Sequence, residues 1–172
     1  MRQEAFPGPA GVSFRTLLAY RDAETARWRA WFASHPAAAL EVRLSEGELG
    51  TVRRLIRHIF AVELRYGQRL EAERVTDWAE FQEETLDEIF AIGERARTLV
   101  DRFLDRATEA DFRERLTFPT LTAGMLTASR HKILANFVNH GIRHWAQIAT
   151  ALRQHGYGDQ WPHDLLASDV LD

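Results

Sequence analysis

The stretch TASRHKILANFVNHGIRHWAQIATALRQH, residues 127–155, decides how this chain folds. Its apolar residues recur at intervals of three and four, which is the period of an α-helix with one buried face. Gly156 follows at the position where helices commonly end. Two histidines, His140 and His144, lie on the apolar face itself, where a polar group needs a partner. This stretch therefore predicts a long amphipathic helix that carries a chemical site.

Three earlier segments show the same helical period. The first follows Ser13, a suitable N-cap, and ends at His35-Pro36 because proline disfavours helix in the residue before it. The second is expected to begin at Ser45-Glu46-Gly47-Glu48, where a serine and a glutamate three apart form a capping box. A similar capping box at Asp77 and Glu80 predicts that the third helix begins there and extends to about Ala107.

The segment from Arg113 to Met125 differs from the helices, because threonines surround Pro119 and the apolar residues are scattered. It predicts a short hairpin or an extended crossover. Four amphipathic helices with little strand predict an all-α fold, a four-helix bundle. Residues 1–12 are expected to form a flexible lead-in, and residues 13–172 one helical domain with a C-terminal tail.

Composition excludes several classes of function. The 172 residues carry a net charge of -3 with acidic and basic residues mixed, so nucleic-acid binding is disfavoured. There is no cysteine, which rules out disulfides, zinc fingers and an enzymic thiol nucleophile. Residues 1–9 contain no apolar segment and no later stretch is long enough to span a bilayer, so we expect a cytoplasmic protein that does not bind membranes.

A third histidine, His58, lies on the apolar stripe of the second predicted helix, between Leu55 and Val62. His140 and His144, at i and i+4, project from the same side of their helix and can converge on one point. Three neutral imidazoles can hold a borderline divalent ion and leave coordination positions open. The sequence therefore predicts a metal site formed by His58, His140 and His144.

The histidine spacing also bears on other kinds of site. Each buried imidazole could instead have its own hydrogen bond to a carbonyl, carboxylate or amide. A zinc protease needs glutamate directly after the first histidine of the pair, where this chain has Gly141. Di-iron bundles need glutamate three residues before a histidine, a pattern that is absent here. Haem with two histidine ligands stays open, although nothing specifically supports it.

Four further residues are candidates for contacts around the metal or with a substrate. Gln147 and Asn136 share the face of the histidine pair and could orient a ligand. Arg143 flanks the pair and could hold an anionic substrate, and Tyr66 could place its hydroxyl at the rim. Each also has an ordinary alternative, as a solvated or packed side chain.

The chain resembles the DinB/YfiT-like family of bacterial metalloenzymes. The matching pieces are LIRHIF, residues 55–60, and FVNHGIRHWAQI, residues 137–148. The family has a lone histidine on its second helix and a His-x-x-x-His pair on its last, and the resemblance covers residues 13–156. One position departs from the family pattern: Trp145 follows the final histidine where arginine is common, and Arg143 precedes it.

This resemblance implies an up-down-down-up bundle, often homodimeric, with zinc or nickel held by His58, His140 and His144. It also implies S-transferases or isomerases that use low-molecular-weight thiols, with the metal activating the thiolate. Hydrolysis by a metal-bound hydroxide is the nearest alternative within the enzymes. Two hypotheses outside catalysis remain: a stress-associated bundle that binds a metal or ligand without turnover, and a helical dimerisation module without metal.

Overall fold

The computed structural model describes residues 12–44, 50–82, 85–120 and 124–170. Within these ranges it has four long helices, α1 (Phe14–Ser34), α2 (Val52–Leu70), α3 (Leu86–Arg106) and α5 (Arg130–Gln154). A short helix, α4 (Glu109–Arg113), and two strands, β1 (Arg115–Pro119) and β2 (Met125–Ser129), lie between α3 and α5. The prediction of an all-α four-helix bundle is confirmed.

Each long helix begins at a residue whose side-chain oxygen accepts a backbone N–H. These N-caps are Ser13, Thr51, Thr85 and Ser129. Such caps satisfy amide groups in the first turn that have no partner within the helix. Ser13 is the cap that the sequence predicted for the first helix. The second and third helices begin later than predicted, and α5 begins at Arg130 instead of Thr127, because residues 127–129 pair as strand β2.

The second helix was expected to begin at Ser45, but α2 begins at Val52. The predicted capping box, residues 45–48, lies outside the described residues. Arg43 and Thr51 form an antiparallel bridge, and the Val52 N–H donates to the Val42 carbonyl. The backbone before Val52 is therefore extended, and the helix can begin only after this pairing ends.

The third helix was expected to begin at Asp77, but α3 begins at Leu86. Asp77 and Glu80 do form the predicted capping box, which opens only one 3₁₀ turn, Trp78–Glu80. Thr85 and Glu88 form a second capping box that opens α3 itself. Two capping boxes of the same sequence pattern thus lie eight residues apart. The prediction chose the first one because Trp78 and Phe81 continue the apolar period of the helix.

The segment before α5 is a hairpin, one of the two predicted alternatives. β1 and β2 pair antiparallel, from Arg115 opposite Ser129 to Pro119 opposite Met125. β2 continues directly into α5 through Ser129, which caps the helix. The short helix α4 was not predicted, and Leu121 lies outside the described residues.

Aromatic contacts set the relative direction of α1 and α5. Phe14 packs edge-on against His131 near the starts of the two helices, and Trp28 stacks on Trp145 further along. The two helices therefore run parallel. None of the described helices is both long and apolar enough to cross a bilayer.

The C-terminal tail packs over the aromatic core beside α1. The rings of Trp161 and His163 lie 4.9 and 5.1 Å from that of Trp28, which is fully buried. Indole Nε1–H of Trp161 donates to Glu24 at 2.8 Å. These contacts hold the tail against the helices at the end of the bundle that contains Trp145.

Candidate metal centre

Three imidazoles from two helices meet inside the bundle. His140 Nε2 lies 3.2 Å from His58 Nε2 and 3.1 Å from His144 Nε2. One ligand atom from each of the three residues lies within 4.8 Å of the others. His140 and His144 are 9 % and 6 % exposed, and His58 is half-buried. The three histidines that the sequence predicted as metal ligands are thus brought together in space.

The helical geometry explains this convergence. His140 and His144 lie one turn apart on the buried face of α5, so their rings meet edge to face with the centroids 4.4 Å apart. α2 packs against α5 in the opposite direction, because His58 meets His144 while Tyr66 meets Asn136. His58 therefore reaches the pair from across the helix interface.

The environment keeps the imidazoles neutral. Burial, together with His144 and Arg143 nearby, lowers the pKa of His58 to about 4. Burial and the other two imidazoles lower the pKa of His140 to about 3. Burial also lowers the pKa of His144. Near neutral pH all three side chains are therefore in the unprotonated form that metals bind.

Gln147 fixes the orientation of one ligand. His144 Nδ1–H donates to Gln147 Oε1 at 2.6 Å, which leaves the Nε2 lone pair directed at the other imidazoles. The sequence placed Gln147 on this face for such a role. A partner on the second ring nitrogen is the usual way in which a protein orients a metal-binding histidine.

The hydrogen-bonding capacity of the cluster fits a cation better than a set of hydrogen bonds. A neutral imidazole has a single N–H, so His140 Nε2 can donate to only one of its two neighbours. The imidazoles alone would then leave at least one Nε2 without a complementary partner, and the exposed Arg143 guanidinium, 3.4 Å from His144 Nε2, offers a long contact to that nitrogen alone. His140 Nδ1 is buried without a hydrogen-bond partner in the described chain. A shared divalent ion would satisfy every Nε2 lone pair at once.

The spacing of the nitrogens also fits one ion. Two nitrogens held about 2.1 Å from a metal lie about 3.4 Å apart at the tetrahedral angle and about 3.0 Å apart at a right angle. The two separations from His140 Nε2, 3.2 Å to His58 and 3.1 Å to His144, fall between these limits, and the third pair lies within 4.8 Å. The group contains no carboxylate among the described residues. Three neutral ligands would leave a divalent ion its full charge.

The other predicted candidates are divided between the site and its surroundings. Arg143 is exposed, with a guanidinium nitrogen 3.4 Å from His144 Nε2. Asn136 does not reach the histidines, because its amide donates to the Tyr66 hydroxyl at 2.8 Å. This contact ties α5 to α2 beside the site. Asn136 and Tyr66 therefore form a link between helices rather than contacts to an imidazole.

Sequence reasoning missed two features around the cluster. The Trp78 ring lies parallel to His58 with the centroids 6.2 Å apart, and it comes from the 3₁₀ turn after α2. No helical spacing relates these two residues, so no sequence signal placed Trp78 there. The second feature is Glu63, fully buried on α2 and paired with Arg21 of α1.

The Arg21–Glu63 pair lies against α5 at Gly141. A methyl group on Gly141 would come within 2.8 Å of Glu63 Oε1, so the glycine lets the carboxylate approach the α5 backbone. Burial raises the pKa of Glu63, and the adjacent Arg21 guanidinium lowers it. Arg21 keeps this carboxylate paired, which a buried charge requires. The sequence does place Glu63 on the apolar face of α2, four residues after Ile59, and this position could have pointed to a buried carboxylate.

Comparison with known proteins places the chain in a family. The model of the DinB family matches residues 1–167. No curated protein matches the sequence. Among solved structures, the crystal structure of TT2238, a four-helix bundle protein, is similar, with 23 % identity and a TM-score of 0.47. The match covers 83 % of this chain and 98 % of that one.

Proposed function

The chain belongs to the DinB family, and from the imidazoles that converge in its bundle we propose that it is a metal-dependent enzyme. His58, His140 and His144 would hold a divalent ion, zinc or nickel, since imidazole is a ligand that suits both. Bound there, the ion would lower the pKa of a thiol or water in its open position. The convergence of three Nε2 atoms, with no carboxylate of the described ranges in the group, is the observation that carries this proposal.

The protein residues would orient and shield the reacting groups. Gln147 holds the His144 ring in the tautomer that presents Nε2. Arg143 places a positive charge next to this nitrogen, where it would favour an anionic group such as a thiolate. Apolar side chains of α2 and α5 exclude water on the buried side, which strengthens electrostatic interactions within the site.

We propose transfer to or from a low-molecular-weight thiol as the reaction. The chain has no cysteine, so any thiol must arrive as a substrate. The cluster contains no carboxylate among the described residues, so no general base for water activation accompanies the histidines. This arrangement favours a nucleophile that ionises readily. The neutral ligand set would keep the positive charge that stabilises a thiolate.

Metal content is the first test. Elemental analysis of protein purified without a histidine tag should find a stoichiometric divalent metal. His140→Ala should lose it, because two imidazoles from two helices are left. His155→Ala, which changes an exposed histidine at the end of α5, is the matched control and should keep the metal. Equal metal content in the wild-type protein and His140→Ala would refute the site.

Turnover is the second test. Metal-loaded and metal-depleted proteins are assayed with a panel of small thiols and electrophiles, and thiol consumption is followed. Metal-dependent consumption that is lost in His140→Ala is expected. If the protein binds metal but neither consumes any thiol nor hydrolyses any electrophile, the non-catalytic binding bundle is favoured. Turnover of the electrophile without thiol would identify a hydrolase.

A further inference from the structure

A cleft separate from the histidine cluster lies at the C-terminal end of α2. We call it the arginine cleft. Its walls are Arg65 and Arg69 of α2, the loop that contains Asp77, and Phe118 of β1, and its volume is about 490 Å³. This size is typical of sites for small molecules. The hairpin that precedes α5 thus forms one wall of a cavity.

Two arginines in this cleft have no carboxylate partner among the described residues. One N–H of Arg65 donates to the Thr76 carbonyl, and one of Arg69 donates to the Arg65 carbonyl at 2.9 Å. Each guanidinium has five N–H groups, so most of the donors are available. Their Cζ atoms lie over aromatic rings, Arg65 4.6 Å from the centroid of Trp78 and Arg69 4.5 Å from that of Phe118.

Both cations are partly desolvated. Burial lowers the pKa of Arg65 despite the nearby Asp77, and burial and Arg65 lower the pKa of Arg69. These are the directions expected for guanidinium groups that have lost water without gaining a counter-ion. Two like charges one turn apart on a helix also repel each other. An anion between them would relieve both costs.

The carboxylates that line the cleft are already engaged. Glu114 pairs with Arg130 at 3.0 Å, and Glu73 pairs with Arg102. Asp77 caps the 3₁₀ turn that follows it. None of these groups reaches salt-bridge distance of Arg65 or Arg69. The cleft therefore offers two cations to an incoming ligand.

The arginine cleft and the metal centre share one stripe of α2. Positions seven and eleven residues after His58 lie within about 20° of it around the helix axis. Arg65 and Arg69 occupy these positions, roughly 10 and 16 Å further along the helix. Trp78 connects the two places, because it stacks beside His58 and lies under Arg65. The two arginines and His58 thus lie on the same side of α2, with Trp78 between them.

We propose that the arginine cleft binds the carboxylate or phosphate group of an elongated small-molecule substrate. The assignment of this molecule as a substrate rests on the proposed function, whereas anion binding by the cleft does not. Arg65 and Arg69 supply planar, charge-assisted donors of the kind that carboxylate and phosphate groups select. The reacting end of the molecule would lie at the metal centre, about two to three helical turns beyond.

Anion binding is measured by calorimetry on the full chain, with inorganic phosphate and with succinate as probes. Arg69→Gln should weaken binding about tenfold or more, because a charge-assisted contact is lost. Arg95→Gln removes the same charge from an exposed arginine of α3 and should leave the affinity unchanged. A preference for one probe distinguishes phosphate from carboxylate as the natural group. No saturable binding of either, or equal weakening by both substitutions, would overturn the assignment.

Arg65→Gln tests the second cation, and circular dichroism establishes whether it folds, since Arg65 also holds the Thr76 carbonyl. Arg69→Gln tests the cleft by itself if the Arg65 variant does not fold. His140→Ala should bind phosphate as the wild-type protein does. Loss of phosphate binding in His140→Ala would show that the anion binds at the histidines, and would overturn the assignment to the cleft.

The link to the metal centre is tested with cobalt-loaded protein. Mercaptooctanoate and its neutral amide are compared through the absorption band that a thiolate gives on Co²⁺. The acid should bind more tightly than the amide, and Arg69→Gln should remove this preference while the amide is unaffected. Failure to bind Co²⁺ would refute the proposed function and leave the anion site standing. A preference that is absent, or that survives Arg69→Gln, would refute the link.

Discussion

Gln147 is the residue that converts a buried histidine into an oriented ligand. Its amide oxygen accepts the Nδ1–H of His144 at 2.6 Å, so the tautomer is fixed before any ion arrives. His140 has no such partner on Nδ1 within the described chain. The two histidines of the pair are therefore held differently, one by a hydrogen bond and one by packing.

Replacement of Gln147 tests this difference. Gln147→Leu should lower the affinity for metal about ten- to a hundredfold, the usual effect of losing the partner of a ligand. Affinity is measured by competition with a chromogenic chelator. Gln154→Leu, at the exposed end of α5, is the control. Unchanged affinity in Gln147→Leu would show that helix packing alone orients His144.

Gly141, which follows His140 on α5, contacts the buried carboxylate of Glu63 through its backbone. We expect Gly141→Ala to lower the free energy of unfolding by about 1–3 kcal/mol, because the new methyl group would lie 2.8 Å from Oε1 of a carboxylate that Arg21 holds in place. Chemical denaturation measures the change. Gly158→Ala, where nothing lies within 4 Å, should change stability by less than about 0.5 kcal/mol. Equal effects of the two substitutions would contradict a tight approach at Gly141.

At the scale of the elements, helix starts depend on caps whose sequence pattern recurs. Asp77–Glu80 and Thr85–Glu88 are both capping boxes, yet only the second opens a long helix. After the first, the chain turns at Phe81, whose backbone is extended. The 3₁₀ turn itself carries Trp78, whose ring lies beside His58. A cap thus specifies where a helix can begin, and the packing of the following residues decides whether it continues.

Loss of the cap of α3 should be measurable. In Thr85→Ala the Glu88 N–H loses its acceptor, which should cost about 1 kcal/mol of unfolding free energy in urea. Thr98→Ala is the control within the same helix, where alanine is the better helix former and stability should stay equal or rise. A Thr85→Ala protein as stable as the wild type would show that packing alone sets the start of α3.

At the scale of the whole molecule, the histidine cluster couples stability to pH. Burial keeps the pKa values of His58 and His140 at about 4 and about 3, whereas histidines in the unfolded chain bind protons near pH 6.5. The unfolded state therefore takes up more protons as the pH falls below about 6.5. In metal-free protein, the contribution of the neutral imidazoles to the free energy of unfolding is fully present above that pH. It is lost as the pH falls toward 4.

The expected slope is up to about 1.4 kcal/mol per pH unit for each such proton. Denaturation of metal-free protein between pH 7 and pH 4 (about three pH units) measures it. His140→Gln should show a shallower dependence, because one titrating group is removed, whereas His155→Gln should follow the wild type. A wild-type curve that is flat across this interval would mean that the imidazoles are not buried in the neutral form.

Features that depend on the spacing of residues along one helix could be predicted from the sequence. The last helix, and the placement of His140, His144 and Gln147 on one face of it, follow from intervals of three and four residues, because a helix repeats every 3.6 residues. The start of α2 could not be predicted in this way. It depends on a bridge between Arg43 and Thr51, and pairing across a loop leaves no periodic trace in either partner.

By itself, the sequence determined the fold class, the helix that carries the histidine pair, and the three residues of the candidate metal centre. It could do so because the spacing of apolar residues along one segment specifies which face of a helix is buried. Only the tertiary structure decided how closely the three nitrogens approach, that Trp78 lies beside them, and that the hairpin encloses Arg65 and Arg69. These features depend on how distant segments pack. Distances between segments are set by the complementary shapes of many side chains at once, which no single stretch encodes.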